Sequence, residues 1–303
     1  VGPAPELRAE LEARCRWPPA APGSSGQVSL AVSGGPDSLA LLVLARTAGL
    51  DAVAVHVDHG LRPGSADEAL VVEAAAARWG ARFERRRVPV APGPNLEARA
   101  RAARYAALPA GVLTGHTADD QAETLLLNVL RGAGLDGLVG MAGPGRAAKP
   151  LLGLRRHETN ELCAAVGLDP VRDPSNDDLI HRRNAVRHRV LPLLAEISDR
   201  DPVVVLARQS DLLAEDAAYL DRLAADLDPT DASALAAAPA PLARRAVRRW
   251  LRAGGDDEMH PPSSAEVARV LRVARGEVVA CQLAGGRRVA RRAGRLRVEP
   301  GAD

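Results

Sequence analysis

Over the first 150 residues, short apolar runs alternate with stretches of helical spacing. The runs at 28–32, 52–57, 82–90 and 111–115 predict strands, the third mixed in charge and therefore near an edge. Residues 39–48, 66–79, 96–108 and 118–131 predict the helices between and after them. Gly49, Gly80 and Gly132 stand where helices end, and Asn95 where an N-cap belongs. This β-α-β-α rhythm predicts an α/β fold with an open, mostly parallel sheet, helices on both faces and right-handed crossovers. Ligands of such sheets bind at the carboxyl ends of the strands.

Further on, 132–150 is rich in Gly, Ala and Pro and predicts a loop. Residues 155–166 and about 182–194 predict helices, with a turn at Asp173-Pro174-Ser175-Asn176 between them. A boundary is expected near 198–202. It separates a first domain of residues 1–200 from a smaller, mainly helical domain of 201–303, whose tail at 278–298 is β-rich. A chain of 303 residues is long enough for two cores.

Aromatics make up only 2% of the chain, so the core rests on Leu, Val and Ala, and Lys149 is the only lysine. The net charge of +2 hides a basic lobe, because residues 241–303 hold fourteen arginines against seven acids. Cys15, Cys163 and Cys281 are far apart and form no pattern suited to zinc or an iron–sulfur cluster. An odd, scattered set of cysteines reads as a reducing compartment. No run of about 20 apolar residues predicts a membrane span, and no basic-then-apolar leader predicts a signal peptide. A cytoplasmic location is expected, and a homodimer stays open.

The first strand runs into Ser33-Gly34-Gly35-Pro36-Asp37-Ser38 and then into a helix. Successive N–H groups and the positive end of the helix converge there, which makes an anion cradle. Gly34 and Gly35 permit close backbone approach, Pro36 suits the first helical turn, and Ser33 and Ser38 offer hydroxyls to phosphate. Asp37 is a poor phosphate ligand alone but a reasonable one for a bridging Mg²⁺. A Walker loop is excluded, since it needs a lysine after the glycine.

Ser-Gly-Gly-x-Asp-Ser after a first strand resembles the loop of the N-type ATP pyrophosphatases, the PP-loop superfamily. That resemblance implies a Rossmann-like domain that splits ATP between the α and β phosphates. Four further stretches narrow it: His56-Val57-Asp58-His59-Gly60-Leu61-Arg62, the helix from Glu97 through Arg101 and Arg104 to Tyr105, Gly115-His116-Thr117-Ala118-Asp119-Asp120-Gln121-Ala122-Glu123-Thr124, and the 173–176 turn followed by Arg183-Asn184-Ala185-Val186-Arg187. Together they resemble the short form of the bacterial tRNA(Ile)-lysidine synthetases over the first two-thirds of the chain. The last third matches in size and basic character only. The implied reaction joins free lysine to C2 of the first anticodon cytidine in an isoleucine tRNA with a CAU anticodon. It proceeds through an adenylated cytidine, and AMP and pyrophosphate leave.

Under that resemblance, Asp37, Arg104, His116, Asp120 and Glu123 are the expected catalytic set, and residues 33–38 hold ATP. Asp120 and Glu123, three apart, share a helix face. With Asp119 they are expected to bind lysine or assist Mg²⁺, and Asp37 with Asp120 to hold the metal; capping of the helix is the competing role. His56 and His59 can equally be structural. Arg183, Arg187, Arg244, Arg245, Arg248 and Arg249 are the expected RNA contacts, against the alternative of a solvated basic face. Another adenylating enzyme of the same loop type, such as a tRNA thiolase or an amide-forming synthetase, remains open, as does a non-catalytic nucleotide- or RNA-binding protein.

Overall fold

The computed structural model describes residues 4–19, 26–58, 60, 65–89, 93, 96–143, 145, 147–171, 178–253 and 262–299. His59, Asn95 and the expected turn at 173–176 lie outside them, as do the side chains of Glu97 and Arg101. The chain packs into two compact units, 1–214 and 215–303.

In the first unit, α1 (Ala4–Ala13) precedes β1 (Gln27–Ala31), α2 (Pro36–Thr47), β2 (Asp51–Asp58), α3 (Ser65–Arg78), β3 (Arg82–Arg87), α4 (Leu96–Ala107), β4 (Leu113–Thr114) and α5 (Ala118–Leu130). The strands pair in parallel in the order β3-β2-β1-β4. Alternation along β2 decides what covers each face. Ala52 and Ala54 join the core built on α2 and α3, whereas Val53, Val55 and Val57 face Tyr105 and Leu108 on the opposite side. Helices therefore cover both faces, as the sequence rhythm predicts. Every residue of α2 from Leu39 to Ala45 is fully buried, because the helix lies between the sheet and α1. A helix apolar all round belongs in a core, where each fully buried leucine contributes roughly 1.5–3 kcal/mol. That burial anchors the loop at its N-terminus.

Residues 132–150, expected as loop, include one short helix, α6 (Leu135–Leu138), before a 3₁₀ turn at Pro150–Gly153. Then come α7 (Arg156–Ala165), α8 (Arg182–Ala185), a π-turn at Val186–Val190, α9 (Leu191–Ser198) and α10 (Pro202–Leu223). Pro192 explains the widened turn, since it has no N–H to give and crowds the carbonyl four residues back.

In the second unit, α11 (Ala232–Ala237), α12 (Ala240–Ala253) and α13 (Ser264–Ala274) accompany an antiparallel sheet of β5 (Ala280–Gln282), β6 (Arg288–Arg292) and β7 (Arg295–Glu299). Val247 and Leu251 of α12, Val267 and Val270 of α13, and Val289 and Leu296 of the sheet share one core. Among the described residues, no helix is long and apolar enough to cross a membrane.

Candidate active site

The loop between β1 and α2 is shaped by its glycines and laced by its serines. Gly34 sits at φ +91°, in the region a side chain rarely adopts, and a Cβ there would meet Val171 Cγ2 at 3.0 Å. Its carbonyl accepts from Val171 N at 3.0 Å. Ser38 Oγ donates to Gly35 O at 2.8 Å and accepts from Ser33 N at 3.1 Å, so this hydroxyl braces the loop rather than standing clear for a phosphate. Pro36 opens α2. Among the described residues, the N–H groups of Gly34, Gly35, Asp37 and Ser38 have no hydrogen-bond acceptor. Four donors at a helix N-terminus without partners are what an anion needs.

Asp37 projects from the first turn of α2. Its carboxylate accepts from the Thr159 hydroxyl and lies 3.6 Å from Arg156 Nε. Burial pushes its pKa up to about 6; the neighbouring charges of Asp120 and Asp119 add to the rise, while Thr159 and Arg156 oppose it.

The acids of α5 divide their work. Asp120 closes a capping box, with Oδ2 accepting from Thr117 N at 2.8 Å, and turns Oδ1 to Arg156 Nη2 at 2.8 Å and Arg183 Nη2 at 3.0 Å. Asp119 accepts from Arg155 Nε at 3.1 Å and from Arg156 N at 2.8 Å. Glu123 has no exposed side-chain surface. It accepts from Arg156 Nη1 at 3.1 Å, Arg183 Nε at 2.5 Å, and Arg187 Nε and Nη2 at 2.7 and 3.3 Å. Burial would raise both aspartates, but their arginine partners prevail and hold both below the ordinary carboxylate value. Arg156 is raised above an ordinary arginine: burial alone would lower it, but Asp120, Glu123 and Asp37 outweigh that. A cleft of about 590 Å³ opens beside this network, lined by Asp119, Glu123, Arg155, Arg156 and Arg187 together with residues 199–203.

The structure thus brings Asp37, Asp119, Asp120 and Glu123 to one place, and two of the arginines that join them, Arg155 and Arg156, were not singled out in the sequence. Arg155, Arg156 and Thr159 come from α7 and the residue before it. The one local signal was a pair of arginines at the start of a predicted helix, where cations oppose the helix dipole and so require another reason. His116 lies two residues beyond the end of β4 and shares a 2.9 Å hydrogen bond through Nδ1 with Thr114 Oγ1. His56 Nδ1 lies 2.9 Å from Val32 O, and since a carbonyl only accepts, that nitrogen carries the proton. Asp58 accepts from Gly60 N at 2.9 Å and from Arg85 Nη2 at 2.7 Å. Arg104 lies on α4, its guanidinium carbon 5.8 Å from the centre of the Tyr105 ring.

The arginines expected at RNA differ in what they touch. Arg183 and Arg187 are turned inward onto Glu123, because a fully buried carboxylate requires cations beside it. Arg245 pairs with Asp221 at 2.5 Å, and Arg249 Nη2 donates to the carbonyls of Ala224 and Ala225. Arg244 is exposed. The sheet adds another basic surface. Cross-strand register puts Arg288, Arg292, Arg295 and Arg297 on one face, while Val289 and Leu296 point into the core.

The profile of the PP-loop domain family matches residues 11–194, and that of the TilS substrate binding domain matches 231–297. A tRNA(Ile)-lysidine synthase from Nocardia farcinica is 46% identical over 244 residues, covering 76% of this chain and 77% of the relative. The chain belongs to the tRNA(Ile)-lysidine synthase family. Another member, from Rhodococcus opacus, is 43% identical, covering 83% of this chain and 82% of the relative. The member from Mycobacterium tuberculosis is 38% identical over 94% of this chain and 91% of its own length. Among solved structures, the U34-tRNA thiolase NcsA from Methanococcus maripaludis with its [4Fe-4S] cluster matches with a TM-score of 0.56 at 17% identity, covering 70% of this chain and 78% of that one. At that identity the likeness is one of fold.

The candidate residues from the 33–38 loop to Arg187 lie within the stretch matched as PP-loop domain. The exposed arginine face of the sheet falls in the stretch matched as substrate binding domain.

Proposed function

We propose that this chain ligates lysine to the first anticodon cytidine of an isoleucine tRNA with a CAU anticodon, consuming ATP. The observation that carries this reading is the meeting of an open anion cradle, residues 33–38, with a carboxylate pair, Asp120 and Glu123, at the carboxyl edge of one parallel sheet. The cytidine C2 oxygen bonds to the α phosphate of ATP, and pyrophosphate departs into the cradle. The lysine side-chain amine then bonds to C2, and AMP leaves with the oxygen.

Asp120 and Glu123 hold the lysine ammonium, and Asp119 fixes Arg155 and the start of α7 beside them. An amine with an ordinary pKa of about 10.4 must shed a proton to attack, which costs roughly 4–5 kcal/mol at pH 7. His116, or one of the carboxylates, takes that proton. Mg²⁺ takes one or two carboxylates plus phosphate oxygens and retains waters, so it needs no cage of protein ligands. Asp37 and Asp120 fit that requirement: both face the guanidinium of Arg156, at 3.6 and 2.8 Å, which places them near each other. When bound, the metal would neutralise phosphate charge. Among the described residues, no larger group of His, Cys, Asp or Glu is disposed to hold a metal.

The tRNA lies along the second unit through exposed arginines, Arg244 on α12 and Arg288 and Arg297 on the sheet. The reaction takes place in the cytoplasm, where tRNA, ATP and free lysine are found. Sulfur transfer finds no support: burial pushes Cys15 and Cys163 up to about 12, so both remain thiols.

Radiolabelled lysine, ATP and a transcript of the tRNA test the reading. Label should enter RNA only when all three are present, with pyrophosphate released in step. Nucleotide turnover without label in RNA would remove the ligation.

A further inference from the structure

Asp120 and Glu123 are already saturated. Asp120 Oδ1 accepts from Arg156 and Arg183, and Oδ2 from Thr117. Glu123 Oε1 accepts from Arg156 and Arg187, and Oε2 from Arg183 and Arg187. An ammonium brings three donors and a full charge, and it finds no open acceptor here until an arginine withdraws.

The three arginines are not equivalent. Arg187 binds both oxygens of Glu123, and Arg183 adds the Asp120 carbonyl at 3.3 Å to its two carboxylate contacts. Arg156 is the one whose guanidinium also reaches the phosphate loop, with Nε 3.6 Å from Asp37 Oδ2. Asp37, Asp119, Asp120, Glu123 and Asp201 face Arg155, Arg156, Arg183 and Arg187, five carboxylates against four guanidiniums. A triphosphate entering the loop adds further negative charge and attracts the nearest cation of the network, Arg156, which already faces Asp37.

We propose that Arg156 couples the two substrate sites: it occupies the place of the lysine amine on Asp120 and Glu123 until nucleotide phosphate in the 33–38 loop draws its guanidinium away. Lysine therefore enters after ATP, and Arg156 acts as a positioning residue that passes from carboxylates to phosphate. The proposal rests on the reading that the loop takes the triphosphate and that Asp120 and Glu123 take the amine. The planar fork matters as much as the charge, because one guanidinium spans two carboxylates with separate nitrogens, which an ammonium does not do. Linkage makes the coupling reciprocal, so lysine must tighten nucleotide binding by the same factor.

Equilibrium dialysis of labelled lysine against the full chain reads this directly, with and without magnesium and an ATP analogue whose α–β bridge is a methylene. Wild type is expected to bind lysine about 5–150-fold more tightly with the analogue present. In Arg156→Gln and Arg156→Lys that factor should fall to within about twofold of unity, with nucleotide-free lysine affinity no weaker than in wild type. If Arg156→Gln does not fold, Arg156→Lys retains the charge and carries the test, with circular dichroism as the check. A wild type with equal lysine affinity in both conditions overturns the proposal, as does an undiminished factor in a folded variant. Lysine incorporation into tRNA is measured on the same wild-type sample. Ligation without coupling sinks the role of Arg156 alone, whereas no binding and no ligation removes the underlying function as well.

Discussion

Gly115 meets Asp37 through backbone alone: a Cβ on Gly115 would stand 2.5 Å from the Asp37 carbonyl oxygen. The end of β4 thus presses on the first turn of α2, and no side chain fits between them. Gly115→Ala must displace that turn, and with it the N–H groups of the cradle. Misplacement by about 1 Å costs up to roughly 100-fold in turnover. Pyrophosphate release at varied ATP concentration should show the loss, with the circular dichroism spectrum retained. A variant with wild-type ATP kinetics would mean that the contact is slack.

Glu123 is the anionic centre of a cluster of three guanidiniums. Glu123→Gln removes a fully buried charge from among three half-buried cations, which costs about 3–5 kcal/mol. For a unit of this size the melting temperature should fall by roughly 6–20 °C. A melt unchanged within a degree would show that the arginines find other partners.

Asp37 responds to pH in the opposite sense to Asp119 and Asp120. Its folded value, about 6, lies above its ordinary 3.8, so the folded chain holds this proton more tightly than the unfolded one. The stability it contributes is present below 3.8 and is lost as pH rises through about 6. In nucleotide-free protein, Asp37→Asn should therefore gain roughly 1–3 kcal/mol over wild type at pH 7 and little near pH 4, read by urea unfolding. An equal difference at both pH values contradicts the assignment.

The arginines of the second unit separate by what they touch. Removing an exposed one, by Arg244→Ala, Arg288→Ala or Arg297→Ala, should weaken tRNA binding and lower the slope of log affinity against log salt by about 1. Arg245→Ala, which breaks the pair with Asp221, should lower the melting temperature and leave the salt slope alone. Filter binding across a salt series distinguishes them.

The alternating strands, the loop and the α5 acids were legible because each is local: a few consecutive residues carry the period, the turn chemistry or the helix face. Arg156 was not. It reaches Asp37 across more than a hundred residues, and no spacing announces a contact made by folding. Arg183 and Arg187 were legible as basic residues four apart but not in their destination, since the burial of Glu123 appears only once the helical run from Arg182 lies against α5. The partners of Arg245 and Arg249 were hidden for the same reason, because a count of charge does not reveal them.

The strand order also governs how copies of this chain can meet. β3 forms one border of the first unit's sheet and is a row of charge, Arg82, Glu84, Arg85, Arg86 and Arg87. β4 forms the other and is two residues long, with Leu113 bridged to Ala148 on its far side. Neither border offers a long apolar ribbon of unpaired amides on which a foreign strand could grow. Two molecules at high concentration have little means of extending one sheet into the next, so this parallel core should resist templated aggregation even while partly opened.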